Sequence, residues 1–346
     1  MRRLAALGAL FLLSSCSTIG YYAQAIDGHL EIIRLAVPIE DRLRDPDTPE
    51  SLRRKLAQVL AIREFASREL ALPDNGSYRR YAELDRQFVL WNVFAAPEFS
   101  VKPVESCFLF AGCVAYRGYY SEERAERYAA ELVKQGYDVH VGGVPAYSTL
   151  GWFDDPVLST FIHYPEFELA RILFHELAHQ IVYVKDDTVF NESFAPAVEE
   201  EGVRRWLAHE GTREQRAAYE DLRRRRSELV ALFLKYRSSL AGLYAASLPT
   251  EEMRSGKRRL LAEMLEDYRA LRASWGGFTG FDRLLSRGAN NALLASVASY
   301  TELVPAFRAL LAQKKGDFAE FYAAARELAK ADKPERDARL AALSPQ

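Results

Sequence analysis

The segment from Glu168 to Val184 constrains the fold most, because its apolar side chains recur at the spacing of a core-packed α-helix. Within it, the stretch LFHELAHQ places His175 and His179 four residues apart, so both imidazoles project from one helix face. Two imidazoles in this arrangement can bind one tetrahedral zinc ion, and Glu176 stays near enough to take a proton from water at that ion. A catalytic zinc site also needs a third protein ligand and an open position for water. The alternative is a pair of surface histidines beside a solvated glutamate.

Acidic residues that could complete the site follow in the stretch FNESFAPAVEEEG. We expect a second helix from about 192 to 209, with Pro196 tolerated in its first turn. Glu192 begins this helix, and Glu199 lies seven residues further on, about two turns away on the same face. Glu199 could therefore bind the ion in place of Glu192, or brace one of the histidines from behind.

Together the two motifs resemble those of the gluzincin metallopeptidases, which include aminopeptidases with H-E-L-A-H-Q followed by N-E-G-F-A. The glutamate of their second motif is the third zinc ligand, so the resemblance implies Glu192 as the ligand beside His175 and His179, with one Zn²⁺ per chain. Twelve residues separate His179 from Glu192, fewer than in the large aminopeptidases, so we expect a shorter connection between the helices. Longer stretches, among them CSTIGYYAQAIDGHL, WNVFAAPEFS and DVHVGGVPAYSTLGWFDDP, are similar to a family of bacterial lipoproteins predicted to be aminopeptidases.

These resemblances imply hydrolysis of a peptide bond by water activated at the zinc, with Glu176 as general base and then general acid. The expected enzyme is a zinc peptidase that acts on a peptide substrate, and aminopeptidase action is implied by the resemblance. Exopeptidase action needs an acidic group that holds the free α-amine, and Glu199 is one candidate for it. Two alternatives stay open: a metal-binding or scaffold lipoprotein without turnover, and a zinc hydrolase of cell-wall peptides.

Further substrate-binding residues are expected upstream of the histidine pair, in the stretch GGVPAYST. This stretch reads as a strand, and by resemblance it occupies the place of the substrate-aligning edge strand of gluzincins. An extended peptide could pair with the backbone near Gly143, Val144 and Tyr147. The alternative is an ordinary strand of the sheet. For the oxyanion we consider Tyr300 a candidate catalytic donor, with Tyr147 as its competitor.

The N-terminus carries the features of an export signal. Arg2 and Arg3 precede an apolar run over residues 4–13, which is too short for a membrane span that needs roughly 20 residues. The following Leu-Ser-Ser-Cys resembles a bacterial lipobox, which implies lipidation of Cys16 and anchoring to a membrane. By the same resemblance, Ser17 suggests sorting to the outer membrane, with the protein facing the periplasm. The alternative is an ordinary signal with an incidental cysteine.

Composition and patterning predict the fold class. With 346 residues and 49% apolar content, the chain can bury a sizeable core. Helical patterns flank a stretch rich in aromatic and β-branched residues, which predicts a mainly helical α+β fold with a small mixed sheet. We expect a signal peptide, a lipidated N-terminus with a helical segment, a catalytic core that the resemblance makes zincin-like, and a helical C-terminal region. These segments cover residues 1–15, 16–85, 86–210 and 211–346.

The charge balance bears on possible binding partners, and the cysteine count bears on disulfide formation. The 46 basic side chains nearly cancel the 48 acidic ones, so we expect no nucleic-acid partner.

Beyond Cys16 the chain has two cysteines, Cys107 and Cys113. In an exported protein a local disulfide between them is the default expectation, and two free buried thiols are the alternative.

Overall fold

The chain alternates helices and short strands in its first half and is helical in its second half. A computed structural model describes residues 2–108 and 112–343, with side chains described from residue 19 onward. The predicted mainly helical α+β class is confirmed. The helices are α1 (Arg2–Leu35), α2 (Ile39–Arg44), α3 (Glu50–Leu70), α4 (Glu122–Lys134), α5 (Glu166–Ala178), α6 (Thr188–His209), α7 (Arg213–Ala245), α8 (Thr250–Ser274), α9 (Asp282–Leu285), α10 (Asn291–Thr301), α11 (Val304–Gln313), α12 (Phe318–Lys330) and α13 (Lys333–Leu343). The strands are β1 (Val37–Pro38), β2 (Arg80–Ala82), β3 (Leu90–Ala96), β4 (Ser106–Phe108), β5 (Gly112–Val114), β6 (Arg117–Tyr119), β7 (Asp138–Val144) and β8 (Val157–Leu158).

The largest sheet is antiparallel and has the order β6-β3-β7, which leaves β7 at an edge. Its register places Asn92 of β3 opposite Gly118 of β6 and opposite Gly142 of β7. Of the stretch GGVPAYST, only the part up to Val144 is strand, so the longer predicted strand is wrong. Pro145 follows directly, and a proline has no N–H to donate to a ladder. The smaller sheets have the orders β1-β2-β8 and β4-β5.

One face of this sheet is covered by helix α4. Ala125, Ala129 and Leu132 of α4 pack with Trp91 and Val93 in one buried cluster. These strand residues alternate with Leu90 and Asn92, whose side chains therefore project from the opposite face. That opposite face is free of α4 and helps to line the cavity described below.

Helices α5 and α6 form the centre of the fold, and both differ from the predicted bounds. Helix α5 ends at Ala178 rather than at Val184, because the chain tightens into a turn in which Gln180 N–H donates to Leu177 O at 3.1 Å. Helix α6 begins at Thr188, where the side chain of Asp187 caps it by accepting from Phe190 N–H at 3.2 Å.

The earlier start of α6 puts Pro196 in the helix interior, so its expected place in the first turn is wrong. Proline lacks the N–H that would donate to the carbonyl four residues earlier, which belongs to Glu192. The backbone of α6 therefore lacks the helical hydrogen bond that the carbonyl of Glu192 would otherwise accept.

One hydrophobic cluster includes residues of N-terminal, central and C-terminal helices, among them Ile32, Phe174, Phe194 and Leu340. Arg336 of α13 is buried and donates to Asp187 Oδ2 at 2.6 Å, so the last helix helps to hold the start of α6. The expected boundary between residues 210 and 211 falls between α6 and α7, but the division into four segments stays a prediction.

Among the described residues, no helix combines the length and apolar character that crossing a membrane requires.

Candidate metal centre and substrate cavity

Helices α5 and α6 pack so that the side chains of His175, His179 and Glu192 converge. The two Nε2 atoms lie 3.2 Å apart. Oε2 of Glu192 lies 3.8 Å from Nε2 of His175 and 3.7 Å from Nε2 of His179. These atoms are contributed by the last turn of α5, its C-cap residue and the second turn of α6. Two consecutive helices thus bring three donor atoms to one point.

The spacing of these three donor atoms fits a zinc ion. A tetrahedral zinc with bonds of about 2.0–2.2 Å holds its ligand atoms about 3.3–3.6 Å apart. The distances of 3.2, 3.7 and 3.8 Å lie close to that range. Two neutral imidazoles and one carboxylate are also a donor set that zinc prefers in catalytic sites, with a fourth position for water or substrate.

Glu199 lies behind His175 and away from the cavity lining. Its Oε2 accepts from Nδ1 of His175 at 2.9 Å, which fixes the ring and leaves Nε2 directed at the convergence point. Arg171 donates to the same Oε2 at 3.3 Å and to Oε2 of Glu168 at 2.9 Å. The positive charge of Arg171 compensates the buried carboxylate of Glu199, so that carboxylate can stay ionised behind the imidazole.

The protonation states follow from burial and from these neighbours. Burial lowers the pKa of His175, but the carboxylates of Glu192 and Glu199 outweigh burial and raise it. The pKa of His179 is lowered, mainly by burial. Burial raises the pKa of the Glu199 carboxyl, but Arg171 and His175 outweigh burial and lower it to about 2. When no ion is bound, His175 rather than His179 therefore carries the extra proton. A divalent cation would displace this proton.

Glu176 lies beside the three donor atoms and lines the same cavity. Its side chain is buried, and burial raises the pKa of the carboxyl to about 7, with the charge of Glu192 acting in the same direction. A carboxyl with a pKa near neutrality can both accept and return a proton at physiological pH. This environment suits the expected role of Glu176 as general base, which stays a prediction.

The donor atoms open into a cavity of about 470 Å³. Its floor includes Leu90, Asn92 and Gly118 from the face of the sheet that α4 leaves free. Seven tyrosines contribute to the other walls: Tyr21, Tyr22, Tyr116, Tyr120, Tyr147, Tyr183 and Tyr300. The cavity is thus rich in tyrosine, and its lining also includes the histidine pair and two glutamates.

Helix α1 contributes Tyr21, Tyr22 and Ala25 to the wall of the cavity. Several contacts fix it there. Nδ1 of His29 lies 2.8 Å from the hydroxyl of Tyr147, and the guanidinium of Arg117 lies 4.1 Å from the centre of the Tyr21 ring. Further along, Glu31 pairs with Arg86 at 2.8 Å. The part of α1 that contains Tyr21 and Ala25 is therefore part of the cavity wall.

The profile of one protein family, described as "Putative aminopeptidase", matches residues 20–340. The chain belongs to that family. Membership suggests peptidase activity for the protein. No curated protein and no solved structure matches the chain.

In this member of the family, the predicted substrate-binding residues separate into two groups. Val144 and Tyr147 line the cavity. Gly143 does not: it faces the other side of β7, where the Phe88 ring fills the space of its missing side chain, at 2.2 Å from an added β-carbon. Glu199 does not line the cavity either, because its carboxylate is engaged by His175 and Arg171. Its placement agrees with the alternative of bracing His175.

The predicted oxyanion donor Tyr300 lines the cavity together with the donor atoms. Burial raises the pKa of its hydroxyl well above the usual range, and the charge of Glu192 acts in the same direction. The hydroxyl therefore keeps its proton and can donate a hydrogen bond.

Cys107 and Cys113 form a disulfide with an S–S distance of 2.01 Å. They lie opposite each other in the β4-β5 pair. Phe108 and Val114, their neighbours in the same pair, line the cavity. The disulfide thus joins two strands of the cavity wall. Cys16 lies among the residues whose side chains are not described, so its predicted lipidation falls outside the described part of the structure.

Several residues of this cavity were not singled out from the sequence. Tyr21, Tyr22, Asn92, Tyr116 and Tyr183 belong to segments that are far apart along the chain and carry no motif spacing. Only the unusual density of tyrosine on both sides of the WNVFAAPEFS stretch could have pointed to them.

Proposed function

We propose that this member of the family is a zinc-dependent peptidase that acts on peptides with a free amino terminus. The observation that supports the proposal is the convergence of Nε2 of His175, Nε2 of His179 and Oε2 of Glu192 at zinc-ligand spacing. Glu176 stands beside them in an aromatic cavity large enough for a short peptide.

When bound by these three residues, zinc would acidify water and polarise the scissile carbonyl. Glu176 takes the proton of the attacking water, and the raised pKa of its carboxyl suits that transfer. The same carboxyl then returns the proton to the leaving amine. Tyr300 donates its hydroxyl hydrogen to the oxygen on which negative charge develops.

The preference for a free amino terminus rests on the family description. Tyr21 and Tyr22 of helix α1 line the cavity, and their rings offer an apolar wall against which the first residue of a peptide could lie.

Two measurements on the purified chain test the function. We expect elemental analysis to find one zinc per chain, and we expect the zinc-loaded protein to cleave Leu-Ala-Ala faster than N-acetyl-Leu-Ala-Ala. The free peptide should react faster because acetylation adds bulk and removes the positive charge of the amino terminus that the proposed enzyme recognises. Absence of stoichiometric zinc contradicts the metal assignment, and faster cleavage of the acetylated peptide contradicts aminopeptidase action.

We further propose that the protein is anchored through a lipid on Cys16 and faces the periplasm at the outer membrane. The proposal is supported by the apolar run followed by Leu-Ser-Ser-Cys. We expect radioactive palmitate to label the wild-type protein and not the Cys16→Ser variant, because the thiol is the attachment point. Labelling that persists in Cys16→Ser would falsify the lipid assignment.

A further inference from the structure

Asn92 is a buried polar residue in the floor of the cavity. Its side chain is 5% exposed, and it lines the cavity together with Leu90 of the same strand. Its Oδ1 has no hydrogen-bond donor among the described residues. A buried oxygen without a donor destabilises a protein, so such groups are rare unless a ligand satisfies them.

The neighbours of Asn92 leave room around its carboxamide. On β6 the opposite residue is Gly118, and on β7 it is Gly142, so neither neighbouring strand adds a side chain at this level of the sheet. A β-carbon added at Gly118 would lie 3.1 Å from Oδ1 of Asn92. Gly118 itself lines the cavity. Oδ1 of Asn92 therefore faces the part of the cavity floor that Gly118 leaves unfilled.

A peptide with a free amino terminus carries a positive charge, so the cavity of the proposed enzyme needs a hydrogen-bond acceptor for its ammonium group. Within the described lining, the carboxylates are those of Glu176 and Glu192, and both are engaged in the metal and proton chemistry proposed above. No lysine or arginine of the described chain lines the cavity, so nothing there repels a cation.

We propose that Oδ1 of Asn92 accepts a hydrogen bond from the free α-ammonium group of a bound peptide. The proposal deepens and rests on the proposed peptidase function, because it names the group that recognises the peptide terminus. The apolar surroundings of this position favour peptides whose first side chain is also apolar.

Binding to the metal-free protein tests this proposal without turnover. Calorimetry would compare Leu-Ala-Ala with N-acetyl-Leu-Ala-Ala on the wild type and on Asn92→Ala. The wild type should bind the free peptide about tenfold more tightly than the acetylated one, since a hydrogen bond to a charged group is worth at least that factor. In Asn92→Ala the two affinities should become equal, through weaker binding of the free peptide.

A matched pair of glycine variants leaves Asn92 in place. Gly118→Ala puts a methyl group against Oδ1 and should also remove the preference. Gly142→Ala lies on the other side of Asn92, where the nearest atom to the new methyl is Nε2 of His140 at 3.6 Å, and should keep it. The proposal is overturned if the wild type does not distinguish the peptides, or if Asn92→Ala or Gly118→Ala retains the preference. The peptidase function is judged separately, by cleavage in the zinc-loaded wild type.

Discussion

Replacing Glu176 by glutamine should lower kcat about 10²- to 10⁴-fold while the zinc content stays at one per chain. Glutamine keeps the size of the side chain but cannot take a proton from water. The donor atoms of His175, His179 and Glu192 are unchanged by the substitution, so the affinity for zinc should change little. Parallel measurements of peptide cleavage and of bound zinc in the wild type and in Glu176→Gln check both halves of this prediction.

The pH profile gives the same experiment a second readout. Burial raises the pKa of the Glu176 carboxyl to about 7 in the metal-free protein, and a nearby divalent cation would shift that pKa downward. A general base works only when ionised, so the rate should rise with pH through a limb at or below about 7. The residual rate of Glu176→Gln should lack that limb.

The matched control is Glu200→Gln on helix α6. Glu200 pairs with Arg308 at 2.5 Å outside the lining of the cavity, so its loss should leave kcat near the wild-type value. If Glu176→Gln cleaves peptides at the wild-type rate, the assigned base is wrong. If the wild type binds zinc but neither protein cleaves any peptide, the chain is better described as a metal-binding lipoprotein without turnover.

The part of the site that could be predicted from the sequence is the part that depends on local spacing. His175 and His179 are one helical turn apart, so helix geometry alone brings their rings to one face. The resemblance added Glu192, which the structure places beside them. The start of α6 could also have been found, because Asp187 directly before the helix is a typical N-cap residue. Pro196 instead suggested a later start.

The rest of the cavity depends on which surfaces meet, and periodicity does not determine that. Tyr22 on α1, Asn92 on β3 and Tyr300 on α10 come together only through packing between segments that are far apart in the chain. The strand predicted over GGVPAYST placed Gly143 and Val144 together, yet neighbouring strand residues face opposite sides of the sheet. Val144 therefore lines the cavity, and Gly143 lies against Phe88.

Substituting alanine for His179 should weaken zinc binding by more than about 100-fold and abolish cleavage with it. The ion would keep Nε2 of His175 and Oε2 of Glu192 and would lose one of the three donors that the protein supplies. A competitive titration with a chromophoric chelator measures the affinity. Zinc should raise the Tm of the wild type, since an ion that binds the folded state stabilises it, and should do so much less in His179→Ala.

Glu199→Gln provides a graded comparison in the same titration. This substitution keeps all three donor atoms and weakens the hydrogen bond that Nδ1 of His175 makes at 2.9 Å, so we expect a loss of about 10- to 100-fold. His163→Ala, at an exposed histidine, should bind zinc like the wild type. Because zinc must displace the proton that Glu192 and Glu199 favour on His175, the wild-type affinity should rise with pH. An unchanged affinity in His179→Ala, or a greater loss in Glu199→Gln than in His179→Ala, contradicts the arrangement of donors proposed for this site.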